Sequence, residues 1–257
     1  MFTVDLTGRV AAVTGAGAGL GLAIARELAQ AGAQIAVLEI DRQAGEAAAA
    51  ELEKIGAGAR AYPVDVRDAE AVDAAFAQVK QELGRLDVTV NNAGISRVGP
   101  HTEQISDQDW LDTIAVMQTG VFYCMRAAGR IMLAQGSGSV VNISSIRGFS
   151  PNPGRLAYCA AKAAVIMMTR VTAGEWAPRG VRVNAIAPGV MRTPMWDHDV
   201  ARGVLDEQLY LDLVPARRIG APEDVGKLVA YLASDSAAYV TGSLFTIDGG
   251  LTAIPAG

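Results

Sequence analysis

Tyr158 and Lys162 stand four residues apart in "AYCAAK", at the start of an alanine-rich helical run, so their side chains share one helix face. A free phenol has a pKa of about 10, and bringing it near 7 takes about 4 kcal/mol of preferential stabilisation of the phenolate. A neighbouring cation in a poorly hydrated cleft supplies part of that. A phenol so tuned takes a proton from an alcohol, or returns one to a ketone. Ser145 stands thirteen residues before Tyr158, just past the β-branched run "SVVNI". There its hydroxyl can hold a substrate oxygen and match the negative charge that grows on it.

A second group of residues points to what accepts the electrons. "TGAGAGLG" (14–21) lies where a first strand turns into a first helix, and its glycines are spaced G-x-x-x-G-x-G. Glycines in such a turn let the backbone approach a pyrophosphate, whose charge favours the helix N-terminus. A glycine turn alone is weak evidence. Glu39, at the end of the second strand, stands where a ribose diol would be hydrogen-bonded, and its charge repels a 2′-phosphate. No Arg or Lys lies within the turn and Ile40 follows the acid, which favours NAD over NADP. Asp41 leaves open which acid reads the ribose. An oxidised nicotinamide ring would be the second cation beside Tyr158.

These residues need a scaffold, and the periodicity supplies one. Strands are expected over 9–14, 34–39, 60–64, 86–91, 138–144, 181–186 and 244–247, and helices over 20–32, 44–55, 69–83, 107–135, 158–177 and 222–233. The runs "VAAV", "IAVL" and "DVTV" are near-continuously apolar, as when helices cover both faces of a sheet. Strand–helix alternation of this kind predicts an α/β fold: a single-domain, Rossmann-type, doubly wound parallel sheet over residues 1–257. The one long irregular stretch, about 193–215, reads as a substrate loop.

Composition excludes several classes. Half the residues (51%) are hydrophobic, enough for a substantial core, and the net charge of −5 argues against a nucleic-acid partner. No uncharged apolar run approaches the ~18 residues of a membrane span, and residues 1–10 lack a secretory signal's cationic and apolar regions. Cys124 and Cys159 do not make a disulfide framework and read as reduced thiols of a cytoplasmic protein. His101 and His198 form no ligand-like cluster, so no metal is expected.

From end to end the chain resembles the short-chain dehydrogenase/reductase family. The residues that carry the resemblance are TGAGAGLG (14–21), Asp65-Val66, NNAG (91–94), the Ser145/Tyr158/Lys162 set, PGVMRT (188–193) and DGG (248–250). The resemblance implies Gly15, Gly19, Leu20 and Gly21 at the pyrophosphate, Glu39 at the adenosine ribose, and Asp65 and Val66 at adenine. It implies Asn91, Ala93 and Gly94 along the cofactor, Tyr158 and Lys162 at the nicotinamide ribose, and Pro188, Met191 and Thr193 around the carboxamide. Taken singly, Asp65 reads equally as a turn or cap acid, and Asn91 as a buried strand-end amide. The resemblance also implies a homotetramer.

One position departs from the family pattern. Family members usually carry an Asn in the long helix, where it fixes a kink and helps hold a water for a proton relay through the lysine. Here the stretch reads Val116-Met117-Gln118-Thr119-Gly120, and a thioether accepts hydrogen bonds only weakly. Either Gln118 or a rearranged water substitutes, or the relay is slower.

The expected reaction is hydride transfer between NAD(H) and a small-molecule secondary alcohol or its ketone: a polyol, sugar acid or small hydroxy acid. Arg97, Arg147, Arg155 and Arg192 stand near the expected cleft, and Arg147 and Arg155 are candidates to clamp an anionic tail. Met195, Trp196 and Tyr210 would line an apolar pocket. The alternatives are a 3-oxoacyl thioester reductase, which usually prefers NADPH, and a non-catalytic NAD-binding sensor.

Overall fold

In the first strand, Val10–Thr14 (β1), alternate side chains serve opposite faces: Ala11 and Val13 join one apolar core, Val10 and Ala12 the other. The computed structural model describes residues 4–95, 99–203 and 205–253, without the side chain of Met195. β1 is followed by Gly19–Gln30 (α1), Gln34–Glu39 (β2), Arg42–Lys54 (α2), Ala59–Pro63 (β3), Ala69–Leu83 (α3) and Val88–Asn91 (β4). Then come Asp107–Ile114 (α4), Gly120–Gln135 (α5), Gly138–Ile143 (β5), Leu156–Trp176 (α6) and Val181–Pro188 (β6). Pro194–Ala201 (α7), Glu207–Leu213 (α8), Pro222–Ala233 (α9) and Leu244–Ile247 (β7) complete the order.

All seven strands are parallel, in the order β3-β2-β1-β4-β5-β6-β7. On one face α1, α2 and α9 bury Ile24, Leu28, Leu52, Val225, Val229 and Leu232. On the other, α3, α5 and α6 bury Val72, Phe76, Val79, Met125, Met132 and Val165. The sheet is the doubly wound one the periodicity predicts. Strand order reverses between β1 and β4, and such a switch point opens a crevice at the carboxyl ends of the strands.

Short polar residues set where helices begin. The Asp41 carboxylate accepts from the backbone N–H of Gln43 and Ala44 to cap α2, and Asp68 caps α3 in the same way. Ser106 caps α4. Two expectations need correction. The helix expected over 107–135 is broken by a π-helical turn, Ala115–Thr119, which inserts an extra residue between α4 and α5. The stretch 193–215 is not an irregular loop: Thr193 accepts from Trp196 N–H at 3.3 Å to start α7 with Pro194 in its first turn, and Asp206 caps α8.

Candidate active site

A cleft of about 830 Å³ opens at the carboxyl ends of the strands, where the order reverses. Gly15, Gly19, Leu20, Gly21, Glu39, Asp65, Val66, Ala93, Gly94, Ser145, Tyr158, Lys162, Pro188, Met191 and Thr193 all line it. Asn91 is not on that lining. Its side chain points into the protein and donates to Asn142 Oδ1 at 2.7 Å; Asn142 in turn donates to Thr169 Oγ1 at 2.9 Å. Asn91 therefore behaves as the buried strand-end amide, and ties β4 through β5 to α6.

The work at the end of β4 falls to its neighbour. Asn92 Nδ2 donates to the carbonyls of Thr14 (3.0 Å) and Gly15 (3.1 Å), and Thr14 Oγ1 accepts from the N–H of Asn92 and Ala93, both at 3.0 Å. These bonds clamp the glycine turn against the β4 end. Residues alternate about a strand, so with Asn91 inward the next side chain faces the crevice; that signal was readable in "NNAG".

The turn is shaped for a ligand. Gly15 and Gly19 have φ of +64° and +55°, the left-handed region. A Cβ on Gly15 would meet Ala93 Cα at 2.9 Å, and one on Gly21 the Gly15 carbonyl oxygen at 2.1 Å. One on Gly19 would meet no protein atom nearer than 3.8 Å and would stand in the cleft. α1 starts without a capping side chain and without an acid in its first turn, so its first N–H groups remain available to an anion. At the far end Glu39 Oε2 accepts from Gly17 N–H at 3.0 Å, and Oε1 from the N–H of Ile40 (2.9 Å) and Asp41 (3.2 Å). Asp41 is spent on capping α2, which leaves Glu39, of the two, as the acid that lines the cleft. A pyrophosphate-bearing dinucleotide fits this lining: donors at one point, a fixed carboxylate at the other.

Asp65 is a turn acid as well as a cleft residue. Its carboxylate accepts from the backbone N–H of Arg67 at 2.9 Å and pairs with that guanidinium at 2.6 Å, which holds it below the usual carboxylate range. Arg67 also lines the cleft, and sequence reasoning passed over it.

The Ser145/Tyr158/Lys162 set comes together at the other end. Ser145 is buried and starts a short 3₁₀ turn, Ile146–Gly148, by accepting from Arg147 N–H at 3.1 Å. That turn sits on α6: a Cβ on Gly148 would meet the Lys162 carbonyl oxygen at 2.9 Å. Ser144 Oγ donates to the same carbonyl at 2.9 Å, so β5 and α6 are pinned at the level of the site. Lys162 is 4% exposed, donates to the Ile143 carbonyl at 2.8 Å, and burial lowers its pKa from 10.5 to about 8. Burial pushes the Tyr158 phenol above the ordinary tyrosine value, while a hydrogen bond with Ser145 and the guanidinium groups of Arg155 and Arg147 pull it back. Burial outweighs these groups, and the phenol stands above its ordinary value.

Met117 lines the cleft from the π-turn, with its Cε 3.1 Å from where a Gly94 Cβ would stand. The break in the helix is present although the residue is Met. Gln118 does not line the cleft.

The substrate candidates fall elsewhere. Arg155 lines a neighbouring cavity of about 430 Å³ that it shares with Tyr158. Arg147 does not line the main cleft and reaches the Pro151 carbonyl at 3.5 Å. Arg192 pairs with Asp197 at 3.1 Å and with Glu207, joining α7 to α8. Trp196 is 7% exposed and meets Tyr210 edge-on at 5.1 Å, as core between the same helices. Arg97 and the Met195 side chain lie outside the described residues. Among the described residues no group of His, Cys, Asp and Glu is fit to hold a metal.

Comparisons with known proteins agree with this geometry. Residues 15–252 match a family model described as enoyl-(acyl carrier protein) reductase. The chain is 40% identical to a D-threitol dehydrogenase of Mycolicibacterium smegmatis (98% of this chain, 95% of the relative) and 42% identical to a galactitol 2-dehydrogenase (L-tagatose-forming) of Cereibacter sphaeroides (96% of each). It is also 40% identical to a 3-oxoacyl-[acyl-carrier-protein] reductase of Synechocystis (96% of this chain, 98% of the relative). Among solved structures, an NAD+-bound xylitol dehydrogenase superposes with a TM-score of 0.91 at 34% identity, covering 95% of this chain and 99% of that one. A neighbour from Agrobacterium tumefaciens with bound NADP superposes at 0.89 and 35% identity, covering 99% and 100%. With its cleft at the strand reversal, its glycine turn and its serine, tyrosine and lysine gathered at one end, this chain belongs to the short-chain dehydrogenase/reductase family.

Proposed function

We propose that this protein is an NAD(H)-dependent oxidoreductase that interconverts a secondary alcohol of the polyol type and its ketone, with Tyr158 as general acid and base. One observation carries the reading: Ser145, Tyr158 and Lys162 line one end of a cleft whose other end holds the Glu39 carboxylate. The bound dinucleotide supplies the hydride acceptor and a cationic ring. Everything else belongs to the chain. Gly19 leaves room for phosphate, Gly15 and Gly21 let the turn close against the end of β4, and the start of α1 offers the phosphate N–H donors. Glu39 hydrogen-bonds a ribose diol and repels a 2′-phosphate. Ser145 holds the substrate oxygen, Tyr158 removes its proton, and Lys162 keeps a positive charge near the phenol.

Polyol specificity is supported by the threitol and galactitol dehydrogenases among the relatives. Reduction of a 3-oxoacyl thioester is the second reading, supported by the Synechocystis relative. The glutamate separates them, since thioester reductases of this family usually take NADPH. We also propose that the protein assembles as a homotetramer.

The test is a panel of polyols, hydroxy acids and a 3-oxoacyl thioester, followed at the reduced cofactor's absorbance with NAD(H) and NADP(H) in parallel. A preference for NADP(H) would overturn the cofactor assignment. Tyr158→Phe should cost about 10²–10⁴-fold in kcat while the affinity for NADH stays within about twofold. A Phe variant of undiminished rate removes Tyr158 as the acid/base.

A further inference from the structure

The ring of Tyr158 is approached by two cations from two cavities. Lys162 Nζ lies 5.9 Å from the ring centroid on the main cleft's lining, and Arg155 Cζ lies 6.0 Å from it on the lining of the smaller cavity. Arg155 makes no ion pair among the described residues. Its side chain does not start the helix either: α6 begins from its backbone carbonyl, which accepts from Cys159 N–H at 2.9 Å, with no side-chain cap. A long cationic side chain placed over one ring, with neither an ion pair nor a cap to make among the described residues, asks for a purpose.

We propose that Arg155 is a positioning residue for proton transfer: its guanidinium, held over the Tyr158 ring from the smaller cavity, stabilises the phenolate and sets the pH range in which Tyr158 works. The inference rests on the reading of Tyr158 as acid and base. The negative charge of a phenolate is delocalised into the ring, so a cation near the ring face favours the ionised form more than the neutral one. At 6 Å in a partly hydrated setting, one unit charge moves a titration by about 0.5–1 pH unit. Burial is the largest influence on the phenol, upward; Ser145, Arg155 and Arg147 follow, downward, and Cys159 acts upward. Lys162 lies 5.9 Å from the ring centroid, Asp109 of α4 shares the lining of the smaller cavity with Tyr158 and Arg155, and Asp112 is on the lining of the main cleft. Arg155 thus does part of what the notional lysine–phenol pair was expected to do, at a place that does not line the cofactor cleft.

The experiment is the pH profile of kcat/KM for oxidation of an uncharged polyol with NAD, in wild type, Arg155→Gln and Arg155→Lys. Loss of the positive charge should move the acid limb about 0.5–1 pH unit upward, leave the high-pH plateau within about threefold, and be largely reversed by Lys. A limb that does not move overturns the proposal. So does a loss confined to KM for anionic substrates, which would make Arg155 a substrate clamp. Circular dichroism and NADH titration check the fold, and Arg155→Met, which keeps the apolar stem, replaces Gln if Gln disturbs it. Tyr158→Phe keeps the two failures apart: an active Phe variant removes the acid/base reading, whereas an inactive one with an unmoved Arg155→Gln limb removes only the role of Arg155.

Discussion

Lys162 keeps an ammonium at 4% exposure, held by the Ile143 carbonyl. Its pKa falls from 10.5 to about 8, which corresponds to about 3 kcal/mol against the charged form. The sign follows from linkage. A folded-state pKa below the unfolded one makes the charged lysine a cost that is full below pH 8 and relieved as pH climbs toward 10.5. Wild-type stability should therefore rise by about 3 kcal/mol across that window relative to Lys162→Met, read by urea unfolding at stepped pH. Parallel curves would mean that the lysine is not desolvated. The Tyr158–Lys162 pair was legible because residues four apart on a helix share a face, and Ser145 because it follows a strand that ends in the crevice. Of the two readings open for Asn91, the buried strand-end amide is the one the structure has, because Asn142 claims its side chain across the sheet, and Asn92 meets the crevice in its place. The arginines were legible as cations but not as to where they point: Arg192 is claimed by Asp197 and Glu207, and Arg155 by the far side of the tyrosine.

The glycine turn makes its demands at two different levels. A methyl on Gly21 would stand 2.1 Å from the Gly15 carbonyl oxygen and 2.5 Å from Asn92 Nδ2, so Gly21→Ala breaks the clamp between β1 and β4. A methyl on Gly19 meets open cleft. Gly21→Ala should lower stability by about 1–3 kcal/mol. Gly19→Ala, strained by about 1 kcal/mol at its positive φ, should keep the fold and lose NADH affinity about tenfold or more. Thermal melts and fluorescence titration of both variants decide the matter; unchanged NADH binding in Gly19→Ala would remove that residue from the phosphate site. Strand and helix periodicity made nearly every other element readable to within two residues or so. The π-turn stayed hidden because one extra residue leaves an apolar helical pattern continuous on both sides of it. The two helices after β6 carried their signals in Thr193-Pro194 and Asp206, and their shortness let them pass for loop.

At the scale of the whole molecule, the helix layer of α4, α5 and α6 is apolar on its outer side too. Leu111, Phe122, Met167 and Val171 are 58%, 46%, 56% and 54% exposed. Within α6, Ala161 and Val165 belong to the core, while Met167 and Val171 lie on its exposed side. The segment Leu156–Arg179 is long and apolar enough to cross a membrane by length and composition. It carries buried Lys162 against the sheet, as a core helix does, and its exposed apolar stripe is the surface that the proposed assembly would cover. Phe122→Glu with Met167→Glu should shift the species seen by light scattering toward the monomer, and a wild type that is already monomeric at working concentration would end the assembly proposal. Beyond the sheet, α7 and α8 are joined twice, by the Arg192 guanidinium shared between Asp197 and Glu207 and by the edge of Trp196 on Tyr210. Their root, Thr193 and Pro194, borders the cleft, and their exit runs through Arg217, whose φ of +53° is left-handed without being glycine. The two helices therefore share one pair of ties on the rim of the cleft, so that cutting either tie, by Arg192→Met or Tyr210→Ala, is expected to disturb both helices together, with the Trp196 indole as the fluorescent reporter.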